Sequence, residues 1–325
     1  MRKDRIFVVI PSYKASNTIA KVIEGIGPEV EKIVIVDDYC PENTGKVAEY
    51  LENPRVRVKR HDRNRGVGAS TVTGYKFALE EGADIVVKVD ADGQMDTSRI
   101  LNLATPISMK RADYSKGNRF DDLASLKRMP LVRLIGNAIL SLFTKFSSGY
   151  WSINDPTNGF TAIHRSSLER LDIEKLSKRY FFESDMLYRL STIRAVVVDV
   201  GMPAIYANES SHLSVLKSAL QFPFLHFRNL LKRVIYKYFL REWSVASLEL
   251  IFGVFLICFG VIFGLTNFFY ALSLSQGITA GQAILFAVSL ILGFQLLLSA
   301  LNYDVESEPS IPRQLDLVSK DKEIQ

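Results

Sequence analysis

Ile85-Val86-Val87-Lys88-Val89-Asp90-Ala91-Asp92-Gly93-Gln94 is the stretch whose reading decides the fold: an apolar run of strand character that ends in two carboxylates one residue apart. On a strand, residues i and i+2 project to the same face. Asp90 and Asp92 are therefore placed to share one hard cation, while Gly93 permits a sharp turn and Gln94 adds a third oxygen. A cation held this way suits a diphosphate. An isolated Asp-x-Asp serves equally well as a solvated strand end, so the surrounding chain has to supply the meaning.

Upstream, short apolar runs alternate with amphipathic stretches. Ile6 to Ile10, Ile33 to Val36, Val56 to Val58 and Ile85 to Val89 read as strands, and Thr18 to Ile26, Thr44 to Leu51 and Ala69 to Glu81 as helices. This is the βαβ rhythm of a mostly parallel, Rossmann-like α/β sheet, in which ligands bind beyond the carboxyl ends of the strands. Those ends are polar: Pro11-Ser12-Tyr13-Lys14, Asp37-Asp38, His61 through Gly68, and Asp90-Ala91-Asp92. Asp38 suits a base's ring N–H, or equally a turn or cap. Tyr13 suits stacking on a base, or plain packing. Arg65 and Gly68 lead into a helix near Ala69 whose N-terminal N–H groups favour an anion, or form an ordinary glycine turn. Four such ends in succession point to a nucleotide-diphosphate site.

The 325 residues, 48% apolar and 23% charged, suffice for a full α/β domain with sequence left over. From Leu250 to Tyr303 there is no Asp, Glu, Lys or Arg, and the stretch divides near Gly277 into two runs, Leu250 to Tyr270 and Ile278 to Leu301. Each meets the requirement of roughly 20 residues for a membrane-spanning helix. Arg228, Lys232, Arg233, Lys237 and Arg241 precede the first run, whereas the connecting loop is uncharged, so both termini and the N-terminal domain are expected on the cytoplasmic side of the cell membrane. Cys40 and Cys258 form no plausible disulfide pair. The apolar stretch behind the charged Met1-Arg2-Lys3-Asp4-Arg5 is too short for a signal-peptide core. Forty basic residues against 35 acidic is a modest excess, concentrated beside the spans, and no nucleic-acid motif accompanies it. The expected organisation is a cytosolic α/β domain over 1–215, interfacial helices over 216–244, a two-helix hairpin over 245–303 and a polar, disordered cytosolic tail over 304–325. A hairpin of this kind offers a surface for homo-oligomer formation.

A second phosphate site is also legible. Arg119 follows a strand end at Ser115-Lys116-Gly117-Asn118, and Arg133 and Asn137 stand at i and i+4 on a helix over Leu131 to Phe146. Both arginines have the planar fork that grips phosphate, and Arg133 alternatively snorkels toward headgroups. Leu123 to Phe146 and Leu220 to Tyr238 are amphipathic and basic, as expected of helices lying on a bilayer surface. His164 reads as the start of a helix, and His212 and Lys217 fall in a loop over Glu209 to Leu220.

Val8-Val9-Ile10-Pro11-Ser12-Tyr13, Ile35-Val36-Asp37-Asp38, Asn64-Arg65-Gly66-Val67-Gly68-Ala69, Val89 to Gln94, Gly117-Asn118-Arg119-Phe120 and Asp155-Pro156-Thr157-Asn158-Gly159-Phe160 follow one another over roughly residues 5 to 215. In order and spacing this chain resembles the GT-A glycosyltransferases of family 2, and within them the polyprenyl-phosphate enzymes that include dolichyl-phosphate mannose synthases and bactoprenol glucosyltransferases. The resemblance implies a GT-A fold and a nucleotide-sugar donor. Pro11, Tyr13 and Asp38 would surround the nucleoside, Arg65, Gly68, Ala91 and Glu183 the rest of the donor, and Asp90, Asp92 and Gln94 a Mg or Mn ion. It further implies a polyprenyl phosphate acceptor at Arg119, Arg133 and Asn137, with Asp155 as base or orienting group. The family often has a carboxylate shortly after its Tyr, where this chain has Lys14, Ala15 and Ser16.

The implied chemistry is inverting hexose transfer, with UDP-glucose as first donor and GDP-mannose as rival. A processive polysaccharide synthase is disfavoured, because Leu240-Arg241-Glu242-Trp243 lacks the Gln-x-x-Arg-Trp pattern and two spans are few for a polymer channel. A nucleotidyltransferase leaves the acceptor arginines without a role. A degenerate membrane scaffold is at odds with intact Asp90, Asp92 and Asp155.

Overall fold

A computed structural model of the chain describes residues 4–121, 131–203 and 215–315, with the side chains of 132, 133 and 215–220 outside the description. Among the described residues the chain divides into two compact units. One runs to Leu231 and resumes at Pro309; the other is Lys232–Glu308.

The first unit is an α/β sandwich around one sheet. Strands β1 (Ile6–Ser12), β2 (Val30–Asp37), β3 (Val56–Arg60), β4 (Ile85–Lys88), β5 (Tyr114–Asn118), β6 (Thr161–His164) and β7 (Val197–Gly201) lie in the order β3-β2-β1-β4-β6-β5-β7. β6 is antiparallel to both its neighbours and every other pairing is parallel. Helices α1 (Ile19–Glu24), α2 (Thr44–Tyr50), α3 (Val67–Glu80), α4 (Ile100–Ser108), α5 (Leu131–Ser148), α6 (Arg165–Arg170), α7 (Phe182–Thr192) and α8 (Val215–Val234) complete it, α8 running on into the second unit. β1 is buried on both faces, so its sequence is a continuous apolar run rather than an alternation. Val8 and Ile10 enter one core with α1 and α4, and Phe7 and Val9 enter the other with α3 and α7. His164 does start a helix: its ring nitrogen Nδ1 accepts from Ser166 N at 3.2 Å as the N-cap of α6.

Three expectations need correction. β4 ends at Lys88, so Asp90 to Gly93 form a turn rather than a strand end, and the pleat does not set the direction of the two carboxylates. Lys217 falls inside α8 rather than in a loop, while His212 lies outside the described residues. The segment from Asp304 is not a disordered tail as far as Leu315. Asp113, fully buried at the head of β5, accepts from the backbone N–H groups of Arg313 (2.8 Å) and Gln314 (3.1 Å), and the Gln314 amide donates to the carbonyls of Ile107 (3.0 Å) and Ala112 (2.7 Å). Composition suggested disorder because polar residues and prolines carry no sign of a buried carboxylate waiting elsewhere in the chain. Residues 316–325 lie outside the description.

The second unit is a helical hairpin. Helices α9 (Val245–Ser273) and α10 (Ala280–Glu306) are candidate membrane spans by length and composition, and only 11% and 17% of their most apolar windows are buried, which rules them out as core helices of this unit. Small residues let them approach: a Cβ on Gly253 would stand 2.8 Å from Leu297 Cδ2 and 3.2 Å from the Gly293 carbonyl. At the end of α10, Asp304 is held bidentately by Arg233 (2.8 and 2.9 Å) and also by Lys237 (2.7 Å) and the Tyr238 hydroxyl (2.8 Å). Two of the cations read as flanking the first span are thus tied to the end of the second.

Candidate active site

The site is built on the loops that follow the carboxyl ends of the strands. After β4, the Thr18 hydroxyl donates to the Ala91 carbonyl at 2.6 Å and fixes the turn against the start of α1. Gly93 takes φ +73°, a conformation that favours glycine, and Asp92 Oδ1 accepts from Gln94 N at 2.9 Å. The Asp90 carboxylate stands over Gly159, where a Cβ would lie 2.4 Å from Oδ2, so a larger residue there would push the carboxylate aside. Among the described residues no three His, Cys, Asp or Glu side chains form a metal cage on their own. Asp90, Asp92 and Gln94 are instead the sparse oxygen set that suits Mg or Mn shared with substrate phosphates, so the donors present fit such a cation.

On the nucleoside side, Pro11 is buried at the end of β1 and Tyr13 is 42% exposed, with the Lys14 ammonium 5.7 Å from its ring centroid. Asp38 is engaged in the second of the two uses read for it. It is buried, and its oxygens accept from His61 Nδ1 (2.7 Å), Arg65 N (2.8 Å) and Gly66 N (2.7 Å), so it shapes the 61–66 loop, the turn-or-cap alternative. A buried carboxylate needs such donors, and the loop supplies them. The anion site expected at the start of α3 is covered: Ala69 N donates to the Lys178 carbonyl at 3.2 Å, and a Cβ on Gly68 would meet the Ser177 carbonyl at 2.1 Å. The Arg65 guanidinium pairs with Asp62 at 2.5 Å, which lowers the Asp62 carboxyl below its ordinary range.

On the acceptor side, Asp155 is fully buried and grips Arg119 bidentately, Nε to Oδ2 at 2.7 Å and Nη2 to Oδ1 at 2.9 Å, with Arg119 N on Oδ2 at 3.1 Å. Arg119 Nη2 also donates to the Thr157 hydroxyl at 3.2 Å. The fork of Arg119 is therefore turned to Asp155 rather than presented whole to a phosphate. Arg133 and Asn137 stand one turn apart on α5 as expected; the Arg133 side chain lies outside the description.

The sequence reading missed the residues that join these halves. Lys88 on β4 faces Thr161 on β6, Thr161 faces Lys116 on β5, and Lys116 faces Asp199 on β7, a polar row in register across four strands and buried through Lys116. Lys88 Nζ donates to Asp90 Oδ1 (2.6 Å), Glu183 Oε1 (3.3 Å) and the Gly159 carbonyl (3.3 Å). Burial alone would lower the Lys88 ammonium, but Asp90 and Glu183 overcome it and raise its pKa above the ordinary lysine value. Burial pushes Lys116 down to about 8 against the pull of Glu183, Asp155 and Asp199, and its ammonium donates to the Asn158 carbonyl. Asp199 is raised to about 6 by burial; its Oδ2 accepts from Asn118 Nδ2 (3.0 Å) and Asn154 N (2.9 Å), and its Oδ1 is buried with no hydrogen-bond partner among the described residues. The available signal was a lysine within each of two strand-like runs, at Lys88 and Lys116.

Residues 7–172, just over half of the chain, match the sequence family described as Glycosyl transferase family 2. A UDP-N-acetylglucosamine–dolichyl-phosphate N-acetylglucosaminyltransferase of Methanococcus voltae is 32% identical over 220 residues, 63% of this chain and 87% of the relative. A polyprenol monophosphomannose synthase of Mycolicibacterium smegmatis is 29% identical over 203 residues, 60% of this chain and 76% of the relative. The glucosyl-3-phosphoglycerate synthase of Mycobacterium tuberculosis, solved with Mn2+, UDP and phosphoglyceric acid, shares the fold with a TM-score of 0.54 at 17% identity, over 71% of this chain and 78% of that one.

Proposed function

Because the chain belongs to glycosyl transferase family 2, we propose that this glycosyltransferase moves a hexose from a nucleotide sugar to the phosphate of a polyprenyl phosphate, with inversion at the anomeric carbon. The observation that carries the reading is the segment Asp155 to Gly159. Its first residue holds Arg119 and its last lies against Asp90, so acceptor and donor halves share one short wall.

In the proposed reaction a phosphate oxygen of the lipid forms a bond to the anomeric carbon while the bond to the donor diphosphate breaks, its electron pair leaving with the nucleotide. A bound Mg or Mn at Asp90, Asp92 and Gln94 supplies charge neutralisation for that leaving group. The nucleophile needs no strong base, since the second ionisation of a phosphate monoester lies near pH 6. Asp155 is accordingly assigned to orienting Arg119, and Glu183, drawn to Lys88, to the sugar side of the donor.

A membrane acceptor is supported by the two apolar helices and by apolar side chains left exposed along α5 (Leu131, Ile135, Ile139, Leu142) and α8 (Phe224, Phe227, Leu231). Attachment of both ends of the hairpin unit to one catalytic unit supports cytoplasmic termini on both sides of a two-span anchor. For the sugar, the motif spelling favours glucose from UDP-glucose. The named relatives favour a second reading, in which N-acetylglucosamine or mannose is moved. The test is to incubate the purified full-length protein with Mn2+, polyprenyl phosphate and a panel of labelled nucleotide sugars. Label should enter the organic phase from one donor, and folded protein that transfers from none would overturn the reading.

A further inference from the structure

Lys88 is 1% exposed, and its ammonium has three acceptors for its three N–H groups: Asp90, Glu183 and the Gly159 carbonyl. The two carboxylates it holds are more open, at 31% and 15%. The cation therefore lies beneath the site and the anions lie above it. Asp90 comes from the loop after β4 and Glu183 from the first turn of α7, and no hydrogen bond joins the two directly among those described. Lys88 is what ties them together.

We propose that Lys88 is a positioning residue for the donor half of the site, setting the separation of Asp90 and Glu183 and cancelling one of their two charges so that a divalent cation settles at Asp90 and Asp92 rather than between Asp90 and Glu183. This rests on the reading of Asp90 and Asp92 as the cation ligands. The geometry leads to it directly. Asp90 and Glu183 share the one ammonium, which leaves one negative charge between them, and Asp92 in the same turn adds a second, a match for one divalent cation. Without the ammonium, Glu183 becomes a competing ligand on the wrong side of Asp90, and a cation drawn there no longer faces the leaving diphosphate. A lysine suits the task because its ammonium is compact and strongly cationic, whereas a guanidinium fork is planar and wider.

The test is Lys88→Met, which keeps the length of the side chain and removes its charge, with Lys88→Arg beside it. Mn2+ binding to the metal-free full-length protein is measured by the electron paramagnetic resonance of unbound Mn2+, and transfer is measured in parallel. With Lys88→Met, Mn2+ should bind roughly tenfold more tightly, because a like charge a few ångströms away has gone, while kcat falls at least tenfold. Lys88→Arg should bind Mn2+ within about twofold of the parent, since the charge is kept, and lose part of kcat. A merely structural lysine would weaken Mn2+ binding and kcat together. Unchanged or weaker Mn2+ binding in folded Lys88→Met, or an undiminished kcat, overturns the proposal. If Lys88→Met does not fold, Lys88→Arg decides, and loss of Mn2+ binding there overturns it. A parent protein that binds Mn2+ yet transfers no sugar defeats the functional reading instead, and leaves the Mn2+ comparison to judge Lys88.

Discussion

A buried carboxylate keeps the partners the fold gives it, and for Asp155 that partner is Arg119. The pair is bidentate, reinforced by the Arg119 backbone N–H, and Asp155 has no exposed surface. Two consequences follow for Asp155→Asn. It should lower the unfolding free energy by about 3 kcal/mol, the scale for leaving one member of a buried pair uncompensated, read as a fall in thermal midpoint. It should also depress kcat at every pH, because the loss is of Arg119's orientation. An Asp155→Asn enzyme whose rate recovers fully in alkaline buffer would instead identify Asp155 as the base. The motif was legible because Asp-Pro-Thr-Asn-Gly-Phe survives as a contiguous string. The pairing was not, since Arg119 stands 36 positions away and an arginine near a phosphate-binding pattern reads naturally as a phosphate ligand.

At the level of strands and helices, local pattern did most of the work. The apolar runs at Ile6, Ile33 and Ile85 became β1, β2 and β4, because buried parallel strands are apolar on both faces and announce themselves without partners, whereas Val56 and Val58 alternate with exposed Arg57 and Lys59 in the edge strand β3. The polar row Lys88, Thr161, Lys116 and Asp199 was invisible for the opposite reason: it exists only through register between strands distant in sequence. Asp199 at its end gives the row a pH signature. Its carboxyl is raised to about 6 in the folded protein by burial, from an ordinary value near 3.8. Between roughly pH 4 and 6 the folded chain therefore holds a proton that the unfolded chain has released, so this group's contribution to stability falls as pH rises through that window. Asp199→Asn removes the titration. The variant's thermal midpoint relative to the parent should climb between pH 4.5 and pH 7, and a difference that stays constant with pH would show that Asp199 does not titrate there.

Across the whole molecule, the chain leaves the catalytic unit after Leu231, forms the hairpin unit, and returns at Pro309. The return is fastened. Asp113 accepts three backbone N–H groups, from Val196 (2.8 Å), Arg313 (2.8 Å) and Gln314 (3.1 Å), the Gln314 amide satisfies the carbonyls of Ile107 and Ala112, and Arg313 Nε donates to the Ile193 carbonyl at 2.9 Å. Removing residues 309–325 would strip two of the three donors from a fully buried carboxylate and uncover the carbonyls at the ends of α4 and α7. Each buried polar group left without a partner costs about 1–3 kcal/mol. The truncated protein should still insert through its hairpin, because α9 and α10 are intact, but its catalytic unit should melt several degrees lower and be cut faster by trypsin. Gln314→Ala, which spares the two backbone donors to Asp113, should show a smaller shift in the same direction. Full-length and truncated proteins with equal melting and equal proteolysis would mean that the returning segment rests on the catalytic unit without stabilising it.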